Sequence, residues 1–185
     1  TLAEAFGADA ALDVRRMVEE ATGCEPTELL DVLEQPATVR TLARFDAMVA
    51  RRAAGEPLQY VLGSWAFRHL DLFLDGRVLI PRPETEVVTE VALGELDRVL
   101  GTRRADGDTT IGRVVDLGTG SGAIALSIAA ERSGVEVWAT DASADALDIA
   151  RANLAGIGRR ANRVRLAHGD WFDALDDELA GTFDL

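Results

Sequence analysis

A glycine-rich turn, Gly118-Thr119-Gly120-Ser121-Gly122, follows the apolar run Val114-Val115-Asp116-Leu117 and precedes a stretch with helical character. Glycines are needed there if the backbone must turn sharply and a ligand must approach it without meeting a Cβ. The spacing of Gly118, Gly120 and Ala123 also satisfies the G-x-G-x-x-G/A pattern of dinucleotide folds. Asp141 closes the next apolar strand, about 20 residues beyond the turn, where a carboxylate can accept hydrogen bonds from two ribose hydroxyls. Ser143 offers a separate cap for the helix that follows, which leaves Asp141 free for that task. Gly169-Asp170-Trp171 comes directly after a third strand. There Asp170 can accept from an adenine amino group and Trp171 can lie against the base, with ordinary core packing of Trp171 as the competing reading.

Both NAD and S-adenosylmethionine carry such a ribose and adenine. Asp116, two residues before the first glycine, together with Asp170-Trp171, favours S-adenosylmethionine. Carboxylates suit a ligand bearing a sulfonium and an ammonium group, whereas no cation stands near the turn to clamp a pyrophosphate. The pattern resembles the class I methyltransferases, and the resemblance implies a cradle made by Gly118, Thr119, Gly120, Ser121, Gly122, Asp141, Asp170 and Trp171.

These residues need strands and helices to position them. Arg113–Leu117, Val135–Thr140 and Arg163–Ala167 read as strands separated by helices over Gly122–Arg132 and Ala144–Leu154. That βαβαβ order predicts a parallel sheet with ligands beyond the carboxyl ends of its strands. Upstream, Leu70, Leu72 and Leu74 alternate with polar and aromatic residues, and Asp75-Gly76 precedes Arg77-Val78-Leu79-Ile80. This predicts a β-hairpin turning at Asp75-Gly76. Pro81-Arg82-Pro83 forces extended backbone, and Glu84-Thr85-Glu86 opens a helix expected to face inward with Val88, Val91, Ala92, Leu96 and Val99. Gly101–Gly112 reads as a mobile loop. The first 62 residues read as three short helices: one carrying Val14, Met17, Val18 and Ala21; one opened by Glu25-Pro26-Thr27 with Leu29, Leu30, Val32 and Leu33; and one capped by Thr38 with Leu42, Phe45, Met48 and Val49.

Three blocks carry a closer resemblance. Gly55-Glu56-Pro57-Leu58-Gln59-Tyr60-Val61-Leu62-Gly63, Val78-Leu79-Ile80-Pro81-Arg82-Pro83-Glu84-Thr85-Glu86 and Asp116-Leu117-Gly118-Thr119-Gly120-Ser121-Gly122 resemble the signature blocks of the PrmC/HemK family. The resemblance implies an α/β, Rossmann-like class I methyltransferase domain behind a small helical bundle and a β-hairpin. The expected divisions are a helical substrate-recognition domain over 1–62, a hairpin linker over 63–81 and an S-adenosylmethionine-binding domain over 82–185. It also implies methyl transfer to the glutamine of the Gly-Gly-Gln motif in class I peptide-chain release factors, with those factors as partners. Arg82, Pro83, Glu84 and Thr85 would line the approach to the methyl group, although Pro83 and Thr85 are equally good helix-start residues. The family's catalytic Asn-Pro-Pro-Tyr motif follows its fourth strand, which here begins at Thr182-Phe183-Asp184-Leu185. The catalytic residues are therefore expected beyond Leu185, and the chain is expected to be part of a longer protein. An adenine-amino methyltransferase of nucleic acid and a non-catalytic cofactor or release-factor binding module are the alternatives.

Composition narrows these alternatives. A formal charge of −13 and a pI near 4.5 argue against a long phosphate-binding surface. All nineteen cations are arginine. No apolar run approaches the roughly 18 residues of a membrane span. Thr1–Phe6 lacks the pattern of a secretory leader, so the expected location is cytoplasmic. Cys24 has no internal partner, and with only His69 and His168 beside it no structural metal site is expected.

Overall fold

A computed structural model describes residues 10–185, so the Thr1–Phe6 segment lies outside the described residues. The chain divides into two compact units, one ending at Ser64 and the other running from Trp65 to Leu185.

The first unit is helical: α1 (Ala10–Thr22), α2 (Leu29–Leu33), α3 (Val39–Ala53) and α4 (Leu58–Leu62). Met17, Ala21, Met48 and Val61 form its buried centre, with Val14, Phe45, Val49 and Leu58 packed around them. The apolar stripes of α1 and α3 thus meet as their spacing predicts, except that Leu42, expected on the inner face of α3, is exposed. Thr38 caps α3 by accepting from the Thr41 N–H. The second expected helix is reduced to the five-residue α2, which buries no residue and leaves Leu30 and Leu33 exposed. Below this core, Arg52 pairs with the buried Asp13 at 2.7 Å. Arg51 binds Glu56 and the carbonyls of Tyr60 and Val61, tying α3 to α4.

The second unit opens with a two-stranded sheet, β1 (Ser64–Phe67) and β2 (Leu70–Phe73). The hairpin therefore turns at Arg68-His69 and not at Asp75-Gly76, and Arg77–Ile80 is not a strand. Arg68 supplies the physical reason. It adopts a left-handed φ of 51°, and its backbone N–H donates to Glu86. Its guanidinium grips Glu131 through two bonds of 2.6 and 2.8 Å and reaches Glu90 as well. Asp75 instead closes a local turn, accepting from the backbone and side chain of Arg77.

Helix α5 (Pro83–Ala105) starts with Arg82 as its cap and Pro83 in its first turn. It buries Thr89, Leu93, Leu96 and Leu100, while Val88 and Val91 are exposed. Of the expected inward face, Leu96 alone is fully buried. The stripe shifts by one position because Thr89 can enter the interior with its hydroxyl satisfied by the Thr85 carbonyl. The helix also runs through Gly101 to Ala105, shortening the expected loop to residues 106–111. Arg103 holds that end by bonding Asp108 and both oxygens of Asp184.

The remaining elements alternate: β3 (Gly112–Leu117), α6 (Ala123–Glu131), β4 (Val135–Asp141), α7 (Ala144–Gly156) and β5 (Val164–His168). The strands form a parallel sheet in the order β3-β4-β5. Val135, Val137 and Ala139 are buried to within 1%, while Glu136 and Trp138 between them are half-buried, the period-two pattern of a sheet with one fully covered face. Across the other face Glu136 pairs with Arg113 and Arg165. On the outer edge of β3, the Asp184 N–H donates to the Arg113 carbonyl and the Val115 N–H to the Leu185 carbonyl. The chain after β5 has thus crossed to the opposite side of β3 from β4. This is the mixed α/β architecture expected of a Rossmann-like methyltransferase domain.

Candidate functional site

The register pairs Leu117 with Thr140 and Asp141 with His168, so β3, β4 and β5 end together. Their following segments, 118–122, 142–143 and 169–171, meet at that edge. The edge lies beside β3, where the chain order changes direction, the place where open α/β sheets bind ligands.

The glycine turn is held from several sides. The Gly118 and Thr119 N–H groups both donate to the Thr140 carbonyl, at 2.9 and 2.8 Å. The Asp116 carboxylate accepts from the Thr119 hydroxyl at 2.7 Å and from the Ala125 N–H. Burial pushes the Asp116 carboxyl up from the ordinary range; the Thr119 and Ala125 hydrogen bonds oppose this and the nearby Asp141 charge adds to it. Asp116 thus braces the turn through one carboxylate oxygen, Oδ2, which takes both bonds. Gly120 has φ 56° and nothing within 4 Å of where a Cβ would stand, so its exposed face is open to close approach. Gly122 has φ 84°, and its missing Cβ would press on Leu126 at 3.0 Å. Thr119 and Ser121 are buried.

Asp141 stands over this turn. One carboxylate oxygen accepts from the Gly120 N–H at 2.9 Å and the other from the Ser143 N–H at 2.9 Å. Ser143 itself caps α7 by accepting from the Ala146 N–H. The Asp141 side chain is therefore preset in place between the first and second ligand-facing segments, with lone pairs left for further donors.

The third segment joins the second at its start, where the Gly169 N–H donates to the Asp141 carbonyl at 3.1 Å. Gly169 is required because a Cβ there would lie 2.7 Å from the Ala174 Cα. Asp170 is exposed, and its side chain makes no capping bond. Trp171 is 66% exposed with φ 47°, so its ring lies outside the core of the described residues. The His168 ring nitrogen lies 3.0 Å from the Ala142 carbonyl and ties the second and third segments together. Among the described residues, no hydrogen bond or ion pair joins Arg82, Pro83, Glu84 or Thr85 to the turn. Arg82 and Thr85 bond each other across the first turn of α5.

Two features were not anticipated from sequence. One is Asn153, whose amide reaches the glycine turn from α7; nothing in its local pattern separates it from an exposed helical asparagine. The other is a cavity of about 360 Å³ beyond Trp171, lined by Phe172, Leu175, Leu179 and Phe183 among others. The arrangement fits the cofactor implied by the sequence, since an adenosyl group offers a vicinal diol to a fixed carboxylate and a flat base to an exposed aromatic ring.

A strand-turn-helix cradle of this kind, on a parallel sheet whose next segment crosses to the far side of β3, defines a methyltransferase-type α/β domain. Residues 1–63 match the PrmC N-terminal domain and residues 102–185 the methyltransferase small domain. The chain is 41% identical over 172 residues to the release factor glutamine methyltransferase of Burkholderia pseudomallei, covering 91% of this chain and 57% of that protein. It is 38% identical over 187 residues to the protein of the same name from Chlorobaculum tepidum, covering 98% of this chain and 62% of that one. For the Escherichia coli protein of that name the values are 35% over 163 residues, 88% and 54%. The chain thus resembles the PrmC N-terminal domain and the methyltransferase small domain in turn, and it spans 54–62% of the length of these relatives.

Proposed function

We propose that the protein carrying this chain transfers a methyl group from S-adenosylmethionine to the side-chain amide nitrogen of the glutamine in the Gly-Gly-Gln motif of class I release factors. The observation that carries the reading is the Asp141 carboxylate, fixed at 2.9 Å over the Gly120 N–H at the shared end of three parallel strands. The names of the relatives support the substrate. When bound, S-adenosylmethionine supplies an electrophilic methyl group on a sulfonium.

The residues of this chain bind and orient. Asp141 accepts from the ribose hydroxyls, and the open face of Gly118–Gly122 admits the methionine part. Asp170 accepts from the adenine amino group and Trp171 covers the base. An amide nitrogen is a weak nucleophile because its lone pair is delocalised into the carbonyl, so the reaction depends on holding it in line and hydrogen-bonding its protons. We assign that task to an Asn-Pro-Pro-Tyr motif in the remainder of the protein. Pro83–Thr85 borders the path to it, and the helical unit up to Ser64 contacts the release factor.

The test is transfer of labelled methyl from S-adenosylmethionine to a purified release factor by the complete protein, beside a factor whose motif reads Gly-Gly-Ala. Label that disappears in the altered factor supports glutamine methylation. A complete protein that binds the cofactor and leaves the release factor unlabelled overturns the substrate.

A further inference from the structure

Asn153 lies on α7 and is 6% exposed. Its side-chain oxygen accepts from the Phe73 N–H at 2.7 Å, and its amide nitrogen donates to the Phe73 carbonyl at 3.1 Å. The amide thus pairs with β2 as a neighbouring strand would. The same nitrogen donates its second proton to the Ser121 carbonyl at 2.9 Å. One buried side chain therefore joins three elements distant in sequence: the hairpin, the glycine turn and α7.

The Ser121 carbonyl lies outside the helical ladder of α6, since the first helical N–H to find a turn acceptor, that of Leu126, bonds Gly122. Four groups restrain the turn: the Thr140 carbonyl and Asp116 where it leaves β3, Asp141 at Gly120, and Asn153 where it enters α6. Asp141 is the one that must also serve the ribose, so it cannot by itself define the loop while a ligand competes for its lone pairs. Asn153 is engaged wholly with backbone and makes no demand on the ligand. A buried carbonyl that loses its donor seeks another, and the peptide between Ser121 and Gly122, with a left-handed glycine on one side, then keeps the bond from its N–H to the Thr119 carbonyl at 2.9 Å but loses the one that fixes its oxygen.

We infer that Asn153 is a positioning residue for cofactor binding, fixing the Ser121–Gly122 peptide so that the face of the turn stays open. The inference rests on the proposed cofactor site and extends it to a residue that touches no ligand.

The test compares Asn153→Ala, Asn153→Asp and Ile149→Val in the complete protein. N153D keeps the acceptor for the Phe73 N–H and loses both donors, to the Phe73 and Ser121 carbonyls. I149V removes a methylene from the fully buried core of the same helix and leaves the turn alone. Affinity for S-adenosylhomocysteine is measured by calorimetry where each variant is folded, and amide exchange is followed at Gly120, Gly122 and Val137. Losing one buried hydrogen bond to the loop predicts an affinity about tenfold weaker in N153A and N153D. Exchange should accelerate at Gly120 and Gly122, with Val137 unchanged. I149V should lower the melting temperature and leave affinity alone. If N153A melts earlier but binds like I149V, Asn153 is merely structural and the inference fails. If N153D does not fold, N153A against I149V still decides. A folded wild-type protein that binds no S-adenosylhomocysteine overturns the cofactor reading itself, an outcome distinct from equal binding by all variants.

Discussion

Replacing Arg68 tests the account of the hairpin. Its guanidinium is 12% exposed and meets a Glu131 side chain that is 13% exposed, through a two-pronged contact. Glu90, the other partner, is 69% exposed, so its contribution is small. Arg68→Ala strands the Glu131 carboxylate with little water. A fully buried pair broken this way costs about 3–5 kcal/mol, and partial access to solvent lowers the expectation to about 2–3 kcal/mol. For a chain of this size that is a melting-temperature drop of about 4–12 °C. Arg68→Gly loses the same pair but relieves the left-handed backbone at φ 51°. It should be about 0.5–1 kcal/mol more stable than the alanine variant, after the added freedom of an unfolded glycine is subtracted. Adding Glu131→Gln to the alanine variant should recover stability, because no uncompensated charge remains. Urea unfolding followed by circular dichroism measures the three variants against wild type. An alanine variant within about 0.5 kcal/mol of wild type, or a glycine variant less stable than alanine, would refute the reasoning.

Other expectations concern the cradle and the cores. Asp141→Asn removes a charge and one acceptor facing the ribose, and should weaken S-adenosylhomocysteine binding roughly 10- to 100-fold by calorimetry; unchanged affinity would remove Asp141 from the site. Burial raises the Asp116 carboxyl, so its contribution to stability is present below the ordinary carboxylate range and is lost as pH rises through the raised value. Asp116→Asn should accordingly gain melting temperature over wild type near neutral pH, with the gap closing on acidification. A gap that widens towards low pH would contradict the sign. Met17→Ala empties a fully buried position and should cost the helical unit about 2–4 kcal/mol in urea unfolding; a loss below about 1 kcal/mol would mean that the surrounding helices collapse onto the gap.

What could be read from sequence was local. The glycine turn, the aspartate ending β4 and the Ser143 cap depend on residues within a few positions of one another, and their geometry follows from glycine dihedrals and capping bonds. The hairpin was misplaced because an Asp-Gly dipeptide is a strong local turn signal. The actual turn is held by Glu86 and Glu131, 18 and 63 residues away from Arg68. Helix α5 was phased wrongly because Val88, Val91, Ala92, Leu96 and Val99 offer an apolar stripe as good as the one used. Only the hydroxyl bond of Thr89 makes the alternative burial affordable. Its extension through Gly101 depends on Arg103 meeting Asp184, 81 residues on. Asn153 was invisible for the same reason, since its partners lie 80 and 32 residues away.

The pairing of Asp184 with Arg113 has a consequence for synthesis. The outer edge of β3 gains its hydrogen-bonding neighbour from residues that follow it by 71 positions. At translation rates of about 5–20 residues per second, that edge waits roughly 4–14 s for its cover after Arg113 has been made. During this interval the Val115 N–H and the Arg113 carbonyl, later bonded to Leu185 and Asp184, are open to any other strand, including that of a second nascent chain. Arg113 itself stands at the head of that edge, where a charge discourages such pairing.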